Sequence, residues 1–250
     1  MPSAQRDTTS LVFEAPAAMV LIDCGGSPVG RMRQAGLDPL GLTHVVVTHI
    51  HPDHAYGLPA LIQNLRLLRR SAPLPVLCRP EHMEPLRQLL ALFGLTDRPG
   101  AFPVALTAID LAAGAPAVTA GALVLRTTSN SHGTMPNFAL RADVTGAGSV
   151  VYSSDTEPTE SVADLARGAH TLIHEATFPH RDRGRFGTHS TAQEAGEIAA
   201  RAGVRRLILT HVDADYHDEI DALAAEAARA FHGPVEVARE LGAYPWPPAP

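Results

Sequence analysis

Thr48-His49-Ile50-His51-Pro52-Asp53-His54 follows directly after the apolar run Val45-Val46-Val47. The apolar run predicts a buried strand, and the polar residues after it predict that the strand ends in a tight turn. The turn carries three histidines and one aspartate, whose side chains are common metal ligands: His49, His51, Asp53 and His54. We interpret the segment as a metal site at the end of a strand rather than as a coincidental polar turn.

The composition is that of a globular protein with enough apolar residues for a full core. Of the 250 residues, 45% are hydrophobic, and the net charge of -6 does not favour a large polyanionic partner. We expect a single domain over residues 1–250, with halves at roughly 1–120 and 121–244 and a proline-rich tail at 245–250. Cys24 and Cys78 lie in apolar surroundings and are expected to be buried free thiols, with one disulfide as the alternative.

The sequence shows no targeting or membrane signal. No apolar run reaches the roughly 18 residues of a membrane-spanning helix, and the polar N-terminus lacks the pattern of a secretory signal. We therefore expect a cytoplasmic protein without a membrane partner.

Strand and helix patterns alternate along the chain, which predicts an α/β fold. Short apolar runs predict strands at 11–13, 19–22, 45–48, 75–78, 104–109, 123–127, 138–144, 149–153, 171–174, 206–210 and 235–237. Helical spacing of apolar residues predicts helices at 55–70, 81–93, 159–167, 191–202 and 219–231. A capping pattern at Ser190–Glu194 and a stop at Gly203 support the fourth of these helices.

Further candidate ligands lie next to predicted strands or the capped helix: His132, Asp155, His189 and His211. Carboxyl ends of parallel strands meet at one edge of a sheet, which favours a shared site. Each residue also has a simpler interpretation, because Asp155 could be a helix N-cap and the histidines could be ordinary loop residues. Asp23, after the second strand, could accept a hydrogen bond from a ligand histidine or could cap a turn.

Five ordered motifs resemble the metallo-β-lactamase superfamily and, within it, the ribonuclease Z-like phosphodiesterase branch. They are THIHPDHAYGLPAL, SHGTMPNFALR, VVYSSDT, LIHEATF and HSTAQEAGEIAARAGVRRLILTH, and the resemblance runs from about Asp23 to His211. It implies a four-layer αββα sandwich with two zinc ions at one edge. One ion would be bound by His49, His51, His132 and Asp155, the other by Asp53, His54, Asp155 and His211. Asp155 and a hydroxide would bridge them, and Mn²⁺ or iron are alternative metals.

The same resemblance implies a catalytic pair formed by Glu175 of HEAT and His189 of HST. His189 would donate to the phosphate or protonate the leaving oxygen, and Glu175 would orient it. Asp53 could also assist as a base. Two nearby cations can activate water and stabilise the oxygens of a phosphodiester, so no protein nucleophile is needed.

Departures from that branch favour a small substrate. Its transfer-RNA-processing members carry a long arm between the third histidine motif and the bridging aspartate, whereas here only Gly133–Ser154 separates His132 from Asp155. The glycine-rich opening segment is also not found, and the usual arginine of the GDT-R-P sequence is Glu157.

We therefore predict a dinuclear-zinc phosphodiesterase that acts on a small phosphodiester or cyclic nucleotide. The alternatives are a ribonuclease Z-like RNA 3'-end endonuclease, a lactone or thioester hydrolase, and a non-catalytic metal-binding module. The expected partner is a small-molecule ester rather than a large RNA, and a homodimer is an open alternative. A loop at 179–187 is a candidate substrate-facing element, whose three arginines, Arg181, Arg183 and Arg185, could clamp a phosphate or form a solvated surface.

Overall fold

The computed structural model describes residues 3–96, 99–111, 116–185 and 187–249. These residues form two compact units. The first unit comprises Asp7–Asp110 with Ala120–Ala122, and the second comprises the described residues of Met1–Arg6, Leu111–Thr119 and Leu123–Pro250. The prediction of a single domain stays a prediction.

The first unit is built on a five-stranded sheet in the order β1-β2-β3-β4-β5. Its strands are Leu11–Ala15 (β1), Ala18–Ile22 (β2), His44–Val46 (β3), Leu74–Cys78 (β4) and Val104–Ala108 (β5). β1 and β2 form an antiparallel hairpin, and the other neighbours are parallel. The sheet therefore aligns the carboxyl ends of β2, β3 and β4.

Four helices accompany this sheet: Pro28–Gln34 (α1), Pro52–Ala55 (α2), Leu58–Leu67 (α3) and Pro80–Leu92 (α4). The predicted helix at 55–70 is shorter in the structure: α3 covers Leu58–Leu67, and the chain breaks between α2 and α3 at Gly57. A Cβ at Gly57 would lie 2.3 Å from the carbonyl oxygen of Cys24, so the helix start packs directly against the backbone that follows β2. The apolar spacing that suggested one helix belongs to α3, which buries Leu61 and Leu65 completely.

The second unit contains a seven-stranded sheet in the order β12-β11-β10-β9-β8-β7-β6. The strands are Pro116–Ala120 (β6), Leu123–Ser129 (β7), Phe138–Val144 (β8), Val150–Tyr152 (β9), Thr171–Glu175 (β10), Arg206–Thr210 (β11) and Val235–Val237 (β12). β7, β8 and β9 are antiparallel neighbours, whereas β9 to β12 run parallel. A turn at 145–148 connects β8 to β9.

Three helices belong to the second unit: Glu160–Ala166 (α5), Ala192–Ala202 (α6) and Ile220–Ala230 (α7). The predicted caps of α6 are confirmed, since Thr191 and Glu194 form a capping box and Gly203 ends the helix in the left-handed conformation. Short 3-10 helices occur at Pro39–Gly41, His180–Asp182 and Ala214–Glu219.

The α/β fold class is confirmed, and the structure adds β6, α1 and most of α2 to the predicted elements. β6 was not predicted because its sequence, PAVTA, is rich in alanine and begins with proline, both weak strand formers. α1 was not predicted because seven residues are too few for a clear helical pattern. Cys24 and Cys78 are buried free thiols, as expected.

Among the described residues, no helix combines the length and apolar character that crossing a membrane requires.

Gly196 tests the packing of α6 on α7. A Cβ at Gly196 would lie 2.4 Å from the backbone oxygen of Ala227, so Gly196→Ala should lower the free energy of unfolding. The expected loss is about 1–3 kcal/mol from overpacking, although alanine is the better helix former by about 1 kcal/mol. Urea denaturation followed by circular dichroism measures the change.

Gly30 in α1 is the matched control. It is exposed, and the nearest atom to an added Cβ lies 3.9 Å away. Gly30→Ala should therefore leave stability unchanged or raise it by up to about 1 kcal/mol. Equal effects of the two substitutions would contradict the close approach of α6 and α7.

Candidate metal-binding site

The histidine-rich turn of the first unit follows β3 and leads into α2. His51 is the N-cap of α2, and Pro52 opens the helix at a position where no backbone N–H is needed. His49 and His54 are completely buried, whereas the side chain of Asp53 is 35% exposed. Polar side chains buried to this extent need hydrogen-bond partners, so their contacts indicate which of their atoms are held by the protein.

The four predicted ligands of this turn lie close together. His49 Nε2 lies 3.1 Å from His51 Nδ1, and His54 Nε2 lies 3.7 Å from Asp53 Oδ2. The ring centroids of His49 and His54 are 4.1 Å apart. Two nitrogen ligands on a tetrahedral zinc ion are about 3.3 Å apart, because Zn–N bonds are about 2.0–2.1 Å long. The spacing of these donor atoms therefore fits a divalent metal.

Asp23 orients two of these histidines from the end of β2. Its Oδ2 accepts a hydrogen bond from His54 Nδ1 at 2.8 Å, and its Oδ1 accepts from the Thr48 backbone N–H at 2.8 Å. The Thr48 hydroxyl lies 2.9 Å from Asp23 Oδ2 and 3.2 Å from His49 Nδ1. A carboxylate can only accept, so the hydroxyl donates to Asp23 and accepts from His49. Asp23 thus accepts a hydrogen bond from a predicted ligand histidine, which is one of the two roles that the sequence left open.

Burial strongly affects Asp23 itself. Loss of water raises the pKa of its carboxyl above the usual range, and the nearby His54 and Thr48 act in the opposite direction. The carboxylate form thus depends on the donors that surround it.

The second unit places its predicted ligands at the carboxyl ends of its sheet. His132 follows β7, Asp155 follows β9 and His211 follows β11. Asp155 Oδ2 lies 3.9 Å from His132 Nε2 and 3.2 Å from His211 Nε2. Asp155 is 1% exposed, so it lies inside the protein rather than at a surface helix cap. The structure therefore brings together three of the predicted ligands within this unit alone.

Backbone contacts hold Asp155 and His132 in place. The side-chain amides of Asn130 and Asn137 both donate to the Asp155 backbone oxygen, at 3.2 and 2.7 Å. His132 Nδ1 lies 2.9 Å from the Thr188 carbonyl oxygen, which can only accept. His132 therefore carries its hydrogen on Nδ1 and presents the lone pair of Nε2 towards Asp155.

Glu175 at the end of β10 is completely buried and accepts four hydrogen bonds. Its Oε1 accepts from the Thr156 N–H at 2.6 Å and from His189 Nδ1 at 2.9 Å. Its Oε2 accepts from the Thr177 hydroxyl at 2.7 Å and from the Ser190 N–H at 3.1 Å. A carboxylate has about four acceptor sites, so Glu175 has no capacity left for a metal. Glu175 and His189 are paired, as the resemblance implied.

The loop around 179–187 has its arginines engaged by acidic or phenolic groups. Arg181 donates to both carboxylate oxygens of Glu219 at 2.8 and 2.7 Å. Arg183 Nε lies 2.8 Å from Glu194 Oε1, and Arg185 donates to the Tyr216 hydroxyl at 2.8 Å. These contacts favour a solvated, ion-paired surface over a phosphate clamp.

Several side chains that contact the predicted site residues or their neighbours were missed by sequence reasoning. Thr48 and Thr177 each join a histidine to a carboxylate, and no spacing pattern signals such hydroxyl contacts. Glu157, noted only as a departure from the family pattern, accepts from the Ser131 hydroxyl at 2.7 Å and donates its N–H to the Ser131 carbonyl at 2.8 Å. Glu157 thereby fixes the residue next to His132.

The donor atoms of both units suit a divalent metal. His54, His132 and His211 have Nδ1 bonded to protein oxygens, which leaves Nε2 as the ligand atom of each ring. In a neutral imidazole this arrangement fixes the hydrogen on Nδ1 and the lone pair on Nε2. Such orienting contacts are typical of metal-binding histidines.

Comparisons with known proteins agree with this chemistry. The Beta-lactamase superfamily domain matches residues 18–212. A protein named Ribonuclease Z from Methanothermobacter thermautotrophicus is 30% identical over 286 aligned positions, covering 96% of this chain and 92% of that protein.

Solved structures show the same fold. The metallo-beta-lactamase fold protein YhfI from Bacillus subtilis has a TM-score of 0.82 and 25% identity, covering 96% of this chain and 91% of that chain. The short form of human tRNase Z has a TM-score of 0.78 and 20% identity, and the match covers 98% of this chain and 95% of that chain. The predicted family is confirmed: the chain belongs to the beta-lactamase superfamily and is a metal-dependent hydrolase by its similarity to these proteins.

Proposed function

We propose that the protein is a dinuclear-zinc phosphodiesterase. Seven residues would hold the two ions: His49, His51, Asp53, His54, His132, Asp155 and His211. The observation that carries the proposal is the donor set itself, in which protein oxygens hold Nδ1 of every one of these histidines except His51 and leave Nε2 for a metal. Nitrogen and carboxylate donors at these spacings suit zinc, with Mn²⁺ or iron as alternatives.

The metal supplies one part of the chemistry. When bound, divalent cations would lower the pKa of water towards neutrality and would stabilise the oxygens that enter and leave phosphorus. The protein's own groups supply the rest, since Asp155 and Asp53 contribute negative charge and the histidines contribute neutral donors. Asp53 is the more exposed of the two aspartates and could also take up a proton from the attacking water.

His189 is the proposed proton donor. Its Nδ1–H is bound to Glu175, which would stabilise the ring in its protonated form and leave Nε2 to reach a substrate. Its side chain is 18% exposed, whereas that of Glu175 is completely buried. Glu175 therefore orients His189 without touching the substrate, and His189 would donate to the phosphate or to the leaving oxygen.

Two substrates share this phosphodiester chemistry. Similarity over more than nine-tenths of both chains to a protein named Ribonuclease Z supports an RNA 3' end. The expectation of a small-molecule ester rather than a large RNA does not fit this relative, so we place an RNA phosphodiester first. The short β8–β9 hairpin between His132 and Asp155 and the net charge of -6 support a small phosphodiester or cyclic nucleotide as the second candidate.

Asp155→Ala is the first test of the metal assignment. The variant should bind less than one zinc per chain, since the substitution removes a proposed shared ligand. Its phosphodiesterase rate should be lower than that of the wild type by about 100-fold or more. Inductively coupled plasma mass spectrometry measures the metal, and hydrolysis of bis(p-nitrophenyl) phosphate measures the rate. Two tightly bound ions and a full rate in the variant would refute the assignment of Asp155.

The wild-type substrate panel is the second test. We expect cleavage of an RNA with a 3' trailer and of bis(p-nitrophenyl) phosphate, and no hydrolysis of lactones or thioesters. Activity on cyclic nucleotides without cleavage of RNA would place the small substrate first. Hydrolysis of lactones or thioesters alone would overturn the phosphodiesterase proposal, and metal binding without any hydrolysis would indicate a non-catalytic module.

The Glu175–His189 pair is tested separately from the metals. His189→Ala should lower kcat by about 100-fold to 10,000-fold, the range for loss of a general acid, while two zinc ions remain bound. His232→Ala is the matched control, because His232 is exposed and outside the ligand set. A rate for His189→Ala equal to that of the control would remove His189 from the mechanism.

A further inference from the structure

Thr177 lies just after β10, between the catalytic pair and a proposed ligand. It is 6% exposed, and its backbone is fixed on both sides: its N–H donates to the Ser190 oxygen at 3.1 Å and its oxygen accepts from the Asp213 N–H at 3.0 Å. Its side chain thus has a defined position.

The Thr177 hydroxyl has three polar neighbours. Its Oγ1 lies 2.7 Å from Glu175 Oε2, 3.0 Å from His211 Nδ1 and 3.3 Å from His189 Nδ1. The single hydroxyl hydrogen goes to Glu175, because a carboxylate can only accept. The oxygen then accepts from the Nδ1–H of His211, since His189 is nearer to Glu175 at 2.9 Å.

Glu175 cannot orient His211 without this hydroxyl. Its two oxygens already accept four hydrogen bonds, from Thr156, His189, Thr177 and Ser190. Direct contact with a further imidazole would displace one of these donors. The Thr177 hydroxyl connects the Glu175 carboxylate to a second imidazole ring, that of His211.

The first unit contains the same arrangement in different sequence surroundings. Asp23 accepts directly from His54 and accepts from the Thr48 hydroxyl, which in turn accepts from His49. Thr48 is adjacent to its histidine in sequence, whereas Thr177 and His211 are 34 positions apart. A buried carboxylate that holds one histidine directly and another through a threonine hydroxyl therefore occurs in both units.

We propose that Thr177 is a positioning residue, whose hydroxyl transmits the orientation set by Glu175 to His211. One carboxylate then controls both the proposed proton donor and a proposed metal ligand. The proposal deepens the proposed function, since its effect on metal affinity depends on His211 as a ligand.

Thr177→Val removes the hydroxyl at nearly constant shape, and Thr177→Ser keeps it. Thr177→Val should weaken the binding of one zinc by about 10-fold to 100-fold, as for other residues that orient metal ligands. Thr177→Ser should restore the affinity to within about threefold of wild type by the same reasoning. Competition with a chromophoric chelator measures the affinity, and circular dichroism checks folding.

Thr127→Val is the matched control, because Thr127 is a buried threonine whose Oγ1 has no hydrogen-bond partner in the described structure. This variant should bind zinc as tightly as the wild type. Should Thr177→Val fail to fold, Thr177→Ala and Thr177→Ser make the same comparison, as they differ only in the hydroxyl. Equal zinc affinity in the valine or alanine variant and the wild type, or no rescue by serine, would overturn the proposal.

A second measurement does not depend on metal binding. In protein with ¹⁵N-labelled histidine, the His211 Nδ1–H should give a slowly exchanging resonance that is kept in Thr177→Ser and lost in Thr177→Val. A wild type that shows this resonance but binds no zinc would refute the proposed function while supporting the hydroxyl contact. A resonance unchanged in Thr177→Val would refute the contact itself.

Discussion

A carboxylate buried away from water must receive hydrogen bonds from its surroundings, and this constraint organises both units. Asp23 and Glu175 are completely buried. An ionised carboxylate loses much of its hydration in such a place and persists only where donors replace the water. Histidine Nδ1–H groups, threonine hydroxyls and backbone N–H groups are those donors here. The contacts that satisfy the carboxylate are therefore the same contacts that orient the histidines.

The backbone at the strand ends supports these contacts. Asp23, Ser154 and His211 directly follow or lie near the ends of β2, β9 and β11, and all three have positive φ, between 53° and 58°. This left-handed conformation costs energy for residues other than glycine and is kept where surrounding contacts determine it. It turns the chain sharply as each strand ends. Asp23 and His211 thus reach their partners through turns that glycine would make without strain.

Much of this arrangement could be predicted from the sequence. The parts that could not be predicted were missed for one common reason. The candidate ligands after β3 were predicted because three histidines and an aspartate share one turn. His132, Asp155 and His211 were predicted from their place at strand ends and from the motifs, since each is an ordinary polar residue when considered alone. Thr48 and Thr177 were not found, because a hydroxyl that joins a carboxylate to an imidazole depends on three-dimensional contacts without a periodic signal.

The helix boundary near Gly57 shows a second limit of sequence reasoning. Apolar spacing describes which face of a helix is buried, and it continues across the break between α2 and α3. Pro59 lies in the first turn of α3 and has no backbone N–H with which to continue a helix from α2, and a Cβ at Gly57 would also lie 2.9 Å from the Gly26 oxygen. Gly57 and Pro59 are both sequence signals of a helix break, and apolar spacing alone does not include them. Periodicity therefore located the buried face correctly and the helix start wrongly.

The proposed proton donor is more exposed than three of the proposed ligand histidines. The side chain of His189 is 18% exposed, whereas those of His54, His132 and His211 are 0%, 1% and 12% exposed. A ligand histidine gains from burial, because a neutral imidazole needs no hydration and a dry site strengthens its bond to a cation. A proton donor must instead meet the substrate and regain its proton from water. Glu175 contacts both kinds of histidine, directly for His189 and through Thr177 for His211, so two rings with different proposed roles are oriented by one carboxylate.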